Sequence, residues 1–379
     1  MRILEVTQVY YPYLEKGGPV AAVRALASHL AARGHSVTVL TVNLGQQDPA
    51  SAVPDNDRVE VIYLPAWLRY RTATLSPGVV QFCSRRLAEF DVVHIYGLYD
   101  LLGVVVAWFC RREDIPYVVE PLGAFQPRVR SLRKKRLYHW AAGRRLLEGS
   151  ARIVATSERE RGELLDARIA ESKVVLRRNG LDLFEFENLP DKGAFRARLG
   201  IGSEPLVVFL GRIAFVKGLD LLVEAFKGVG ESAFLAIVGP DDGDGCLRWI
   251  RREAGEMVAF PGPLYGRERL EALVDADFVV LPSRYESFGN AAAEAIACGT
   301  PVVATDQCGI APLLKDRAGL VVPCTIHGIR DGLNRLLTDD ALRQSLCAQC
   351  GAVARELSWD GPIATMEDLY RTLCAPKAG

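Results

Sequence analysis

The sequence predicts an α/β protein made of two doubly wound parallel-sheet domains, on three observations. Short apolar runs rich in Val, Ile and Leu recur along the whole chain, and they are continuous rather than alternating. Such runs mark strands covered on both faces, as in parallel sheets. Helical patterns separate nearly all of them, which is the spacing of βαβ units. The chain has 379 residues, more than the roughly 250–300 at which a single core stops growing.

In the first half the strand runs are 3–7, 36–42, 59–64, 91–96, 117–120 and 153–157, with helical segments at 18–33, 77–90, 98–111 and 132–149. In the second half the runs are 206–211, 234–239, 257–260, 278–282, 302–305 and 320–323, again with helices between them. The stretch 177–205 is polar and turn-rich, carries Asn179-Gly180 and holds no strand run. The domains are therefore placed at 1–184 and 185–359, with a last amphipathic helix, 360–379, returning to the first domain.

Composition narrows the function. The 46 basic and 46 acidic residues cancel, which argues against a general nucleic-acid binder. The start, Met1-Arg2-Ile3-Leu4-Glu5-Val6, enters a strand pattern directly, so no cleaved leader is expected. No apolar run approaches the ~20 residues that span a bilayer. A cytoplasmic protein, with peripheral contact at the inner face of the membrane as an option, is the expectation. Nine scattered cysteines read as reduced thiols. Cys347 and Cys350 form a lone CxxC without further zinc ligands at suitable spacing.

Ligands of doubly wound domains sit in loops after the strands' carboxyl ends. Gly17-Gly18-Pro19 lies between the first strand and its helix, but it is not the GxGxxG of nicotinamide sites. In FLGRIAFVKG, Arg212 leaves a strand and Lys217 stands at the next helix start, a plausible diphosphate site. In ESFGNAAAE, Glu286 precedes a glycine break and Glu294 lies about one turn into a helix opened by Gly289-Asn290. One continuous helix would part these carboxylates by roughly 12 Å along its axis. The break lets them address different parts of one extended ligand, and carboxylates accept well from paired hydroxyls. Asp242-Gly243-Asp244 fits either an Asp-x-Asp metal site or an Asp/Gly turn, and the turn is the preferred reading. Arg128, Arg130, Arg133, Lys134, Lys135 and Arg136 form a basic segment suited to a solvated helix face, to anionic lipid or to a phosphate-bearing acceptor.

Several stretches, taken in order, resemble the retaining glycosyltransferases of family 4, which have the GT-B fold. They are Gly17-Gly18, DVVHIYG (91–97), NGLD (179–182), GRIAFVKG (211–218), the Glu286/Glu294 stretch, CGTPVVATD (298–306) and GLVVP (319–323), and they cover nearly the whole chain. The resemblance implies two Rossmann-like domains facing across a cleft, an acceptor domain first and a donor domain second. It implies that Arg212 and Lys217 hold a donor diphosphate, with a backbone contact from Gly18. Glu294 would take the ribose hydroxyls and Glu286 the sugar, with the backbone of Phe288, Gly289 and Asn290 beside them. The backbone around Gly262, Pro263 and Leu264 would meet the base.

The co-substrate would be a UDP- or GDP-sugar, with no metal and no other cofactor, and the acceptor a glycan or lipid-linked oligosaccharide. Two departures stand out. In EPLGAF, Leu122 takes the place where many relatives carry a histidine, similar to a polysaccharide-building subgroup with a Pro-x-Gly loop. Ala311-Pro312 follow Gly309-Ile310 where relatives often place a glutamate. A sugar-nucleotide epimerase, a phosphorylase or a non-catalytic nucleotide-binding assembly protein on the same scaffold are the alternatives.

Overall fold

A computed structural model describes residues 1–13, 18–45, 58–70, 73–123, 125, 143–229 and 233–375. The chain divides into two compact units, Met1–Gly180 with Trp359–Gly379, and Leu181–Ser358. The division falls slightly before the expected 184/185. Leu181 belongs to the second unit because its N–H donates to the Leu357 carbonyl at 2.6 Å and it bridges to Ser358.

The first unit holds β1 (Arg2–Val6), β2 (Ser36–Asn43), β3 (Glu60–Pro65), β6 (Val92–Tyr96), β7 (Tyr117–Glu120), β8 (Arg152–Ala155) and β9 (Val174–Leu176). They form one seven-stranded sheet in the order β3-β2-β1-β6-β7-β8-β9, with every pairing parallel. The order turns outward on both sides of β1, as in a doubly wound sheet. A small antiparallel hairpin, β4 (Leu68–Tyr70) with β5 (Ala73–Leu75), stands apart. The hairpin and β9 are additions to the expected elements. Each strand is three residues long, too short to make an apolar run.

Leu4 and Val6 pack on one side of the sheet with Phe82, Leu102 and Val106. Ile3 packs on the other with Val23, Leu26, Met366 and Tyr370. The last two come from the helix Asp360–Cys374, so the returning helix completes this core. Glu367 on that helix pairs with Arg33 at 3.0 Å and His35 at 2.8 Å.

On this same side the sheet carries polar side chains. Glu5 stands beside His94 and Tyr96 beside Glu120 in the parallel register. Arg177 donates to Glu120 at 2.5 Å, both side chains being essentially unexposed. His94 Nδ1 meets the Tyr370 hydroxyl at 2.7 Å. Burial, reinforced by the nearby Glu120 charge, pushes the Glu5 carboxyl up to about 8.

The second unit holds β10 (Leu206–Leu210), β11 (Phe234–Val238), β12 (Val258–Gly262), β13 (Phe278–Leu281), β14 (Val302–Thr305) and β15 (Gly319–Val322). Their order is β12-β11-β10-β13-β14-β15, all parallel. The order reverses between β10 and β13, so the loops after these two strands lie at the switch point, where doubly wound domains bind ligands. The helix Asn290–Ala297 follows β13 and buries Ala292, Ala293, Ala295 and Ile296. Phe288 is 2% exposed in the same core, a burial worth roughly 2–3 kcal/mol. All nine cysteines are free thiols. No described helix is long and apolar enough to cross a membrane.

Candidate functional site

The second unit gathers most of the residues singled out above. The chain leaves β10 at Gly211 and makes a single 3₁₀ turn, Phe215–Lys217, before the helix Leu219–Phe226. Gly218 joins them with φ +68°. A Cβ there would stand 2.0 Å from the Pro282 carbonyl oxygen, so only glycine lets this loop lie against the chain leaving β13. Arg284 ties the same two segments. Its guanidinium grips Asp220 and donates to the Phe215 carbonyl at 2.7 Å, and its N–H donates to the Val216 carbonyl at 2.9 Å.

This clamp brings Lys217 onto Glu286. Their side chains form an ion pair and are mostly buried, at 15% and 16% exposure. Glu286 is held by backbone on both sides. Its N–H donates to the Gln307 carbonyl at 3.2 Å, its carbonyl accepts from Gly309 at 3.0 Å, and the Phe288 carbonyl accepts from Ile310 at 2.7 Å. The turn Gln307–Ile310 is therefore tied along the Glu286 loop, with an isolated parallel bridge between Glu286 and Cys308. Gly289 then turns at φ +120° into the helix that begins at Asn290. The positive end of this helix's dipole favours an anion there.

Arg212 lies on the other side of the same loop and pairs with Asp242. Asp244 accepts from the Phe215 N–H at 2.8 Å and from the Cys246 N–H at 2.9 Å. Both aspartates lie in the loop after β11, so the Asp-Gly-rich turn braces the cationic loop. Glu294 sits on the helix Asn290–Ala297, where Arg269 reaches it at 3.3 Å. Arg269 also holds Glu185 at 3.1 Å. Burial lifts the Glu294 carboxyl above its usual range, and the Arg269 charge opposes that lift. The two glutamates thus have separate cations. Pro263 is exposed just beyond β12, while the Leu264 side chain is buried in the core with Phe288.

Gly18 opens the helix Gly18–Ala32 of the first unit. Gly17 and the basic segment of Arg128, Arg130, Arg133, Lys134, Lys135 and Arg136 lie outside the described residues. Leu122 adopts φ +55° in a tight turn. The Gly123 N–H of that turn donates to buried Glu160 at 2.6 Å. The carboxylate of Glu160 also takes Thr156 N–H at 2.9 Å and its hydroxyl at 2.8 Å. Sequence reasoning did not single out Arg269, Arg284 or Glu160. Each owes its place to partners at least 25 residues away, save Glu160's contact with Thr156, and no local pattern marks such pairings. Asp242 was visible as a turn residue or a metal-ligand candidate, not as the partner of Arg212.

Comparison with known proteins agrees with this architecture. Residues 17–180 match the model of a glycosyl transferase 4-like domain, and residues 191–356 match that of glycosyl transferases group 1. A D-inositol 3-phosphate glycosyltransferase of Frankia alni is 31% identical, with 96% of each chain covered. One from Kineococcus radiotolerans is 29% identical, covering 96% of this chain and 92% of the relative. Among solved structures, sucrose-phosphate synthase from Thermosynechococcus elongatus matches with a TM-score of 0.79 and 25% identity over 99% of each chain. Anabaena HepE in complex with UDP-glucose matches in fold with a TM-score of 0.81, at 18% identity over 98% of this chain and 100% of that one. With two parallel-sheet domains of the GT-B type and this degree of kinship, the chain belongs to the group 1, family 4-like glycosyltransferases and is a glycosyl-transferring enzyme.

Proposed function

We propose that the enzyme moves a sugar from a UDP- or GDP-sugar onto a glycan or lipid-linked oligosaccharide with retention of anomeric configuration and without a metal ion. The observation that carries this reading is the clustering, at the switch point of one sheet, of Arg212, the Lys217–Glu286 pair and the helix start at Asn290. Two cations and the positive end of a helix suit a diphosphate. Glu286 beside them suits the hydroxyls of the transferred sugar, and Glu294, steadied by Arg269, suits the ribose. HepE was solved with UDP and with UDP-glucose, which supports a nucleotide-sugar donor.

In the reaction, Arg212 and Lys217 stabilise charge developing on the departing diphosphate. The acceptor oxygen attacks the anomeric carbon from the face that the phosphate leaves, and the phosphate oxygen takes the acceptor proton. The protein's part is positioning and electrostatic stabilisation. Asp242 and Asp244 are engaged with Arg212 and the Phe215 N–H, which supports assigning the metal's usual task to the cations.

A second acceptor reading comes from the named relatives: a phosphorylated polyol such as inositol 3-phosphate. Purified enzyme incubated with UDP- and GDP-sugars decides between them, with lipid extract or inositol 3-phosphate as acceptor and with or without chelator. Nucleotide release and product formation should need one donor and one acceptor, survive chelation, and fall at least 100-fold in Lys217→Met. No turnover with any pair, or turnover unaffected by Lys217→Met, rules the proposal out.

A further inference from the structure

Arg212 is the half-exposed cation of the site, at 42% exposure, and its guanidinium is engaged by Asp242. Backbone hydrogen bonds hold the two residues side by side. The Ile213 N–H donates to the Pro240 carbonyl at 2.8 Å, and the Asp242 N–H donates back to the Ile213 carbonyl at 3.1 Å. These bonds zip the loop after β10 to the loop after β11, so the backbone of Asp242 stays beside that of Arg212 whether or not their side chains are paired.

Its acidic neighbours are used differently. Asp241 accepts from the Gly243 N–H at 3.0 Å, and Asp244 spends both oxygens on the backbone of Phe215 and Cys246. Asp242 instead faces a side chain that the donor diphosphate needs. Glu286, the partner of Lys217, has a use once donor arrives, because it faces the sugar. Asp242 has no such use, and an arriving diphosphate meets it as a like charge competing for the same guanidinium.

Resting on the nucleotide-sugar reading, we propose that Asp242 is a placeholder anion for the diphosphate. It neutralises Arg212 while the site is empty, yields it to the donor, and recaptures it as the nucleoside diphosphate leaves. The device limits product affinity, so that spent nucleotide does not occupy the site.

A purely structural role for Asp242 predicts the opposite sign. If it only aimed Arg212, removing its charge would weaken diphosphate binding. If it competes, removal strengthens binding. The experiment is calorimetric titration of UDP and GDP into the full-length protein and its Asp242→Asn and Asp242→Ala variants, with melting curves as a check on folding. The better-bound nucleotide should bind both variants about two- to fivefold more tightly, the range of a partly exposed ion pair. Its inhibition of turnover should strengthen by the same factor. In an Arg212→Ala background the gain should vanish. Equal or weaker binding by the folded variants, or a gain that persists without Arg212, overturns the placeholder alone. If the wild-type protein binds neither nucleotide, the donor reading falls and takes the placeholder with it.

Discussion

Gly218→Ala tests how the cationic loop is held against the chain leaving β13. The residue has φ +68°, and an added Cβ would lie 2.0 Å from the Pro282 carbonyl oxygen. Two costs follow. An alanine in the left-handed region loses about 1 kcal/mol through backbone conformation alone. Ordinary contact begins at 3.4 Å, so the loop and the Pro282 strand end must also part by about 1.4 Å, with the Lys217–Glu286 pair lying directly across that gap.

Gly299→Ala serves as the reference, since φ is +80° there and nothing lies within 4 Å of the added carbon. It should lose about 1 kcal/mol. Gly218→Ala should lose roughly 2–4 kcal/mol, the extra being the collision. Displacement on this scale costs about 100-fold in turnover when it separates paired site groups. The assays are denaturant melts of both variants and nucleotide release from the active donor. If Gly218→Ala melts like Gly299→Ala and turns over within twofold of wild type, the clamp does not position Lys217.

Arg177→Leu leaves Glu120 buried without its cation and should destabilise the protein by about 3–5 kcal/mol in urea melts. Replacing both residues by leucine should recover part of that loss. Glu5 gives stability a pH signature. Its carboxyl rises from 4.5 to about 8 on folding, so the stability it contributes is complete below pH 4.5 and is lost as pH rises toward 8. Glu5→Gln should flatten that decline and gain roughly 3 kcal/mol at pH 7 relative to pH 4.5, measured by melts across that range. Arg269→Ala removes the cation at Glu294 and should weaken UDP or GDP binding about tenfold, with a lowered melting temperature because a largely buried carboxyl loses its partner. Calorimetry checks the first and a thermal melt the second.

The two parallel sheets were legible in the sequence. Continuous apolar runs such as Leu206–Leu210 and Phe278–Leu281, separated by helical patterns, suit strands covered on both faces of a parallel sheet, so local chemistry marked where most strands would lie. It also placed Arg212, Lys217, Glu286 and Glu294 in loops and a helix start after strands, because glycines and helix-forming alanines mark those breaks. It missed β9 and the β4–β5 hairpin, whose strands are too short to carry a period.

The pairings were decided by the tertiary structure. Lys217 meets Glu286 across 69 positions, Arg212 meets Asp242 across 30 and Arg177 meets Glu120 across 57. Strand order alone determines which loops become neighbours, and strand order depends on long-range packing that no local window contains. The Asp-Gly-rich turn is the clearest case. As sequence it reads as a turn or an Asp-x-Asp pattern, while folded beside the loop after β10 it supplies the carboxylate that pairs with Arg212.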